Sequence, residues 1–151
     1  MNNGEVARVF QDISDLLELK GESLFKVRAY QKAVRSIEHL PVELSQLMTE
    51  GKLREVPGIG EAIAKKITAL LTTGRVELYE RLRAEFPESV RAVIAVPGVG
   101  PRMARRLYQE LGVASIADLE KAIESGRVAA LPRLDEKTAA DILHQIQKMQ
   151  Q

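Results

Sequence analysis

The sequence predicts an all-α fold, and three observations carry the prediction. Apolar residues recur at helical spacing, no segment alternates with period two over strand length, and Gly or Pro falls at the end of each periodic stretch but the last. Val6, Val9, Phe10, Ile13, Leu16 and Leu17 make the first stripe, with Gly21 able to end it. Val27, Tyr30, Val34 and Ile37 make the second, stopped by Pro41. A short helix from Val42 to Met48 follows, closed by Gly51, and Leu53 to Val56 forms a single turn. Glu61 to Thr73 is the next helix, ended by Gly74, and Val76 to Phe86 the one after it, broken by Pro87. Val90 to Val96 is short. Pro101 to Leu111 begins with a proline at a first helical position, where its missing N–H has no intrahelical partner. Ser115 caps a helix that runs to Gly126, and Lys137 to Met149 is the last. The helices divide into two small units, residues 1–86 and 87–151.

Within this pattern one segment occurs twice. Val56-Pro57-Gly58-Ile59-Gly60-Glu61-Ala62-Ile63-Ala64-Lys65-Lys66-Ile67 returns forty residues later as Val96-Pro97-Gly98-Val99-Gly100-Pro101-Arg102-Met103-Ala104-Arg105-Arg106-Leu107. A lone Gly-x-Gly says little, but two in-register copies with matching flanks are specific. They read as two helix-hairpin-helix units. The glycines permit a tight turn with positive φ and the approach of another molecule's backbone. The helix that follows turns unpaired N–H groups and its positive dipole end outward, where a phosphate fits. Lys65 and Lys66, or Arg105 and Arg106, add charge one turn on. The residues expected against a nucleic-acid backbone are therefore Gly58, Ile59, Gly60, Lys65, Lys66 and Arg75, then Gly98, Val99, Gly100, Arg102, Arg105 and Arg106. The competing reading is that each Gly-x-Gly only joins two packed helices and that the chain is a protein-interaction domain.

Leu131-Pro132-Arg133-Leu134-Asp135-Glu136-Lys137-Thr138-Ala139-Ala140-Asp141-Ile142 is a degenerate third copy. Arg133 and Asp135 replace the glycines and Asp141 replaces a cation. A carboxylate in the turn repels phosphate, so this copy is expected to be structural.

Charge distribution agrees with the motif. The net charge is only +1. Residues 51–110, which hold both hairpins, carry eleven Lys/Arg against seven Asp/Glu, while the flanking segments are net negative. A concentrated basic patch attracts a polyanion whatever the total. Aromatic residues are 4% of the chain with no Trp, which argues against base-stacking platforms. Zero Cys excludes disulfides and thiolate chemistry and fits a cytoplasmic setting. No run approaches the length of a membrane span and no signal peptide is evident, so no membrane is expected and a soluble monomer is. His39 and His144 are read as helix-surface residues, and Asp118 to Glu124 as a solvated face.

The stretches Leu16-Leu17-Glu18-Leu19-Lys20-Gly21-Glu22 and Phe25-Lys26-Val27-Arg28-Ala29-Tyr30, followed by the two hairpins, resemble the amino-terminal region of bacterial family X DNA polymerases. That region comprises an eight-kilodalton lyase-type domain and a thumb-like subdomain. The resemblance spans about residues 5 to 147 and implies two helical units divided near residues 85–90. It implies that the first holds the 5′-phosphate side of a DNA gap and that the second tracks the upstream duplex. The partner implied is gapped, nicked or 5′-phosphorylated DNA. The family's polymerase also needs an Asp-x-Asp metal pair. None occurs here, so polymerisation by these residues is not expected.

The resemblance also implies a possible 5′-deoxyribose-phosphate lyase. In it Lys66 is the Schiff-base nucleophile, supported by Lys26 and Tyr30. Ala62 and Leu78 stand where relatives carry basic residues, and Phe25 where one has a histidine. The helical wheel places Lys65 opposite the apolar face and Lys66 on its flank, where partial desolvation and neighbouring cations favour the neutral amine. The alternative is that Lys66 is an ordinary phosphate-contacting ammonium. No cofactor is required. By resemblance only, the backbone carbonyls of Arg54, Val56 and Ile59, and of Ile94, Val96 and Val99, each hold a monovalent cation.

Overall fold

Helix boundaries follow from caps and glycines. The computed structural model describes residues 1–151. It contains nine α-helices, one 3-10 turn and no strand. In chain order these are α1 (Asn3–Lys20), α2 (Leu24–Glu38), α3 (Leu44–Thr49), the 3-10 turn Leu53–Glu55, α4 (Glu61–Thr73), α5 (Glu77–Glu85), α6 (Glu88–Ile94), α7 (Gly100–Leu111), α8 (Ile116–Glu124) and α9 (Glu136–Met149). Ser23 caps α2 through Lys26 N, Ser115 caps α8 through Asp118 N, and Asp135 caps α9 through Thr138 N. Gly74 and Gly112 end α4 and α7 in the left-handed conformation.

Several boundaries differ from the sequence reading by one or two residues, the sixth helix spanning Glu88–Ile94 rather than Val90–Val96, and two of the differences have a local cause. The third helix begins at Leu44 rather than Val42, because Asn3 intervenes: its side-chain amide donates to Val42 O and its Oδ1 accepts from Leu44 N, both at 2.8 Å. Pro101 is the second helical residue of α7, not the first, still within the turn whose N–H groups lack helical partners.

The chain forms two compact units, residues 1–17 with 22–85, and residues 18–21 with 86–151. Clustering of Glu18–Gly21 with the second unit is a feature the sequence reading did not contain. In the first unit, Phe10 and Ile13 of α1, Val27, Ala33 and Ile37 of α2, and Ile67 of α4 are almost fully buried. Phe10 and Tyr30 stack with ring centroids 6.1 Å apart. The Tyr79 hydroxyl on α5 donates to Asp12 Oδ2 at 2.7 Å. In the second unit α6 contacts α7 and α8, and α8 contacts α9. Val93, Val96, Leu107, Leu119, Val128 and Ile146 form its core.

Candidate nucleic-acid interface

All three hairpin turns share one backbone plan. In the first, Val56 N donates to Leu53 O at 3.2 Å and Ile59 N to Val56 O at 3.0 Å. In the second, Val96 N donates to Val93 O at 3.2 Å and Val99 N to Val96 O at 3.0 Å. In the third, Leu131 N donates to Val128 O at 3.1 Å and Leu134 N to Leu131 O at 3.0 Å. The residue after each proline is left-handed: Gly58 at φ +94°, Gly98 at +93° and Arg133 at +69°. Arg133 alone does this with a side chain, against the steric preference of L-residues. The degenerate copy thus keeps the turn even where it lost the glycines.

The copies part at the helix N-terminus. Asp135 closes the start of α9 with its own carboxylate, and the bond from Thr138 N holds its pKa below the ordinary carboxylate range. The starts of α4 and α7 carry no side-chain cap. Their first N–H groups accordingly have no side-chain partner, the arrangement that favours an anion.

The glycines divide their roles unequally. A β-carbon on Gly58 would meet Ser36 Oγ of α2 at 2.7 Å, so this glycine is required by internal packing. Gly60 has φ −85° and nothing within 4 Å of the place its β-carbon would occupy. The sequence reading assigned positive φ to both glycines of each turn; Gly60 departs from it, while Gly98 and Gly100 are both left-handed. Internal structure therefore does not demand glycine at position 60. Ile59 and Val99 are buried, and their N–H groups are bonded to Val56 and Val96. Their part in the turn is to anchor it.

Beside the first turn lies an open groove of about 870 Å³. Gly58, Gly60, Lys26, Lys32, Tyr30 and Lys66 line it, and Phe25 stands at its rim, 87% exposed. Tyr30 combines two positions, its ring in the core and its edge toward the groove; burial raises its pKa. Lys65 is exposed, with Glu61 Oε1 at 3.9 Å. Lys66 is half-buried, and its pKa is lowered by burial first, then by the charges of Lys26 and Arg81. Lys32 and Arg81 were absent from the sequence-derived set. Lys32 reaches the groove because α2 packs on the Gly58 turn, and Arg81 could have been found by extending the helical wheel to α5.

Other cations are engaged internally. Arg75 forms a bidentate pair with Glu80, at 2.7 and 2.8 Å. Arg106, expected to face phosphate, instead donates from Nη2 to Pro132 O at 2.8 Å and from Nε to Glu110 at 3.3 Å. Its counterpart in the third copy, Asp141, shares a cleft with Pro97 and Gly98. Each of these hairpins thus sets one side chain against the other's turn. Arg102 Nε lies 3.9 Å from Glu18, and the Arg105 guanidinium covers the Cα of Gly21. His39 bonds Arg35 O through Nδ1 at 2.7 Å, and His144 is exposed.

The cation sites implied at the hairpins can be checked against the carbonyls. Val56 O and Val96 O each accept one bond, from Ile59 N and Val99 N, and Arg54, Ile59, Ile94 and Val99 carbonyls accept none from the backbone outside helices. Neutral oxygens of this kind suit a hard monovalent ion, and no cluster of His, Asp or Glu suits a transition metal. No helix is long and apolar enough to cross a membrane.

Comparison with known proteins agrees with this geometry. Residues 1–76 match the family described as helix-hairpin-helix domain, and residues 90–148 the one described as SAM-like helix-hairpin-helix tandem. The chain is 30% identical over 143 residues to the DNA polymerase/3′-5′ exonuclease PolX of Bacillus subtilis, covering 95% of this chain and 25% of that protein. It is 27% identical over 154 residues to DNA polymerase lambda of Arabidopsis thaliana, covering 99% and 28%. Against the Holliday junction branch migration complex subunit RuvA of Acidovorax ebreus it is 28% identical over 97 residues, covering 64% and 51%. The chain therefore spans about a quarter of the length of the polymerases and half that of RuvA. It belongs to the helix-hairpin-helix domain family, and its likeness to the amino-terminal region of family X DNA polymerases extends over 95% of its length.

Proposed function

We propose that this chain grips the phosphate backbone of gapped or nicked DNA repair intermediates, including the 5′-phosphate end, without reading base sequence. Binding of DNA as such follows from two helix-hairpin-helix units in one chain whose relatives are DNA-processing proteins. The observation that carries the finer reading is the first hairpin. Its helix start is uncapped, position 60 is open, and the adjoining groove is lined by Lys26, Lys32 and Lys66. An anionic strand end fits such a site because charge and unpaired N–H groups converge there. The chain acts as a monomer in the cytoplasm, with a monovalent cation on each set of hairpin carbonyls. The test compares affinity for intact, nicked and gapped duplexes, the last with and without a 5′-phosphate. Tightest binding to the phosphorylated gap is expected. Equal affinity for all four would refute the finer reading.

A second reading rests on Lys66. Burial and two neighbouring cations favour its neutral amine, the form that attacks a carbonyl. Lys66 Nζ would add to C1′ of an open-chain 5′-deoxyribose phosphate and expel water to give an imine. Loss of a proton from C2′ then breaks the bond from C3′ to its oxygen and releases the strand. Borohydride reduction would trap the adduct, and Lys66→Ala would abolish it. No adduct at high protein excess leaves Lys66 a phosphate-binding cation.

A further inference from the structure

A second cleft, of about 290 Å³, lies between α4 and α5. Its floor is Ala69, Val76 and Leu78, and its charged rim is Lys65, Lys66, Arg81 and Glu77. Three cations face one carboxylate. Lys65 has only a long, exposed pair with Glu61, and neither Lys66 nor Arg81 forms an ion pair. Arg75, between α4 and α5, is occupied by Glu80. Gathering three cations around one carboxylate disfavours the free protein. The arrangement becomes favourable when an anion enters between them. Lys66 also lines the groove beside the first hairpin turn, so the two hollows share one cation.

We propose that the cleft between α4 and α5 is a second backbone-phosphate subsite, in which Arg81 and Lys66 hold the phosphodiester next to the strand end seated in the groove. Arg81 supplies the bidentate donor pair that suits a phosphate, and Lys65 adds charge at the rim. Like-charge proximity to Arg81 is already felt by Lys66, whose proton affinity it lowers. The inference rests on the DNA-end reading given above and adds a phosphate to it.

The experiment measures binding of the whole chain to gapped duplex with and without a 5′-phosphate, for wild type, Arg81→Gln, Arg81→Lys and Lys26→Gln. Arg81 is exposed and unpaired, so its replacement leaves the fold intact, as circular dichroism would verify. Arg81→Gln should weaken both gapped substrates alike, by roughly three- to tenfold at moderate salt, and reduce the salt slope by about one. Arg81→Lys should recover part of the loss. Lys26→Gln should weaken mainly the phosphorylated substrate. In parallel, the Lys66 ammonium should titrate at higher pH in Arg81→Gln, and a DNA end should protect it. Wild-type affinity and slope in Arg81→Gln would overturn the subsite while leaving the end reading standing. Loss confined to the phosphorylated substrate would also overturn it, because Arg81 would then serve the end itself. Absence of any 5′-phosphate preference in wild type would instead remove the end reading.

Discussion

Ser36 Oγ donates to Pro57 O at 2.5 Å and stands 2.7 Å from where a β-carbon on Gly58 would be. The first hairpin turn is thus bolted to α2 through its backbone. Gly58→Ala must both displace Ser36 and hold a side chain at φ +94°. A loss of about 1–3 kcal/mol is expected, typical of overpacking a tight site. Thermal unfolding followed by circular dichroism measures it. An unchanged midpoint would show that the turn yields freely.

Arg106 illustrates how an apparent ligand contact can be an internal one. Its guanidinium joins α7 to the third turn through Pro132 O and to Glu110. Arg106→Ala should cost on the order of 1 kcal/mol in denaturant unfolding. Affinity for duplex DNA, measured where the variant is fully folded, should change little. The reverse result, intact stability with a lost phosphate contact, would return Arg106 to the binding surface.

Asp141 sits beside the second turn, where the other copies have a cation. Its charge opposes a phosphate at Gly98. Asp141→Asn should tighten duplex binding several-fold at low salt, with the gain shrinking as ionic strength screens it. Affinity titrations at two salt concentrations test this, and a salt-independent or absent gain would place the phosphate elsewhere.

Much of this was legible in sequence because helical spacing, capping residues and the repeated Pro-Gly-x-Gly all act locally. Glu61–Thr73 was read to the residue, and Lys65 and Lys66 fall on exposed and half-buried faces as the helical wheel requires. What sequence could not show was the partner of each side chain. Arg75 and Arg106 are cations like Lys66, and only the folded chain assigns them, the one to nearby Glu80 and the other to distant Pro132. Similarly, Gly58 and Gly60 look alike in the motif, yet α2 crowds one and leaves the other open. Lys32 and Arg81 reach the site from neighbouring helices, beyond the span of the motif. Arg133 hid a preserved turn, since an arginine at positive φ has no sequence signature.

The central claim is that the open turns touch a phosphate backbone, and Gly60→Ala tests it most directly. Extended backbone at φ −85°, ψ −176° accepts alanine, and the added methyl meets nothing in the protein. The variant should unfold at the wild-type midpoint. Its affinity for gapped, 5′-phosphorylated duplex should nevertheless fall about tenfold, the equivalent of about 1.4 kcal/mol, because the methyl occupies the space a phosphate needs. Wild-type affinity at wild-type stability would contradict the account and leave the hairpins as packing elements.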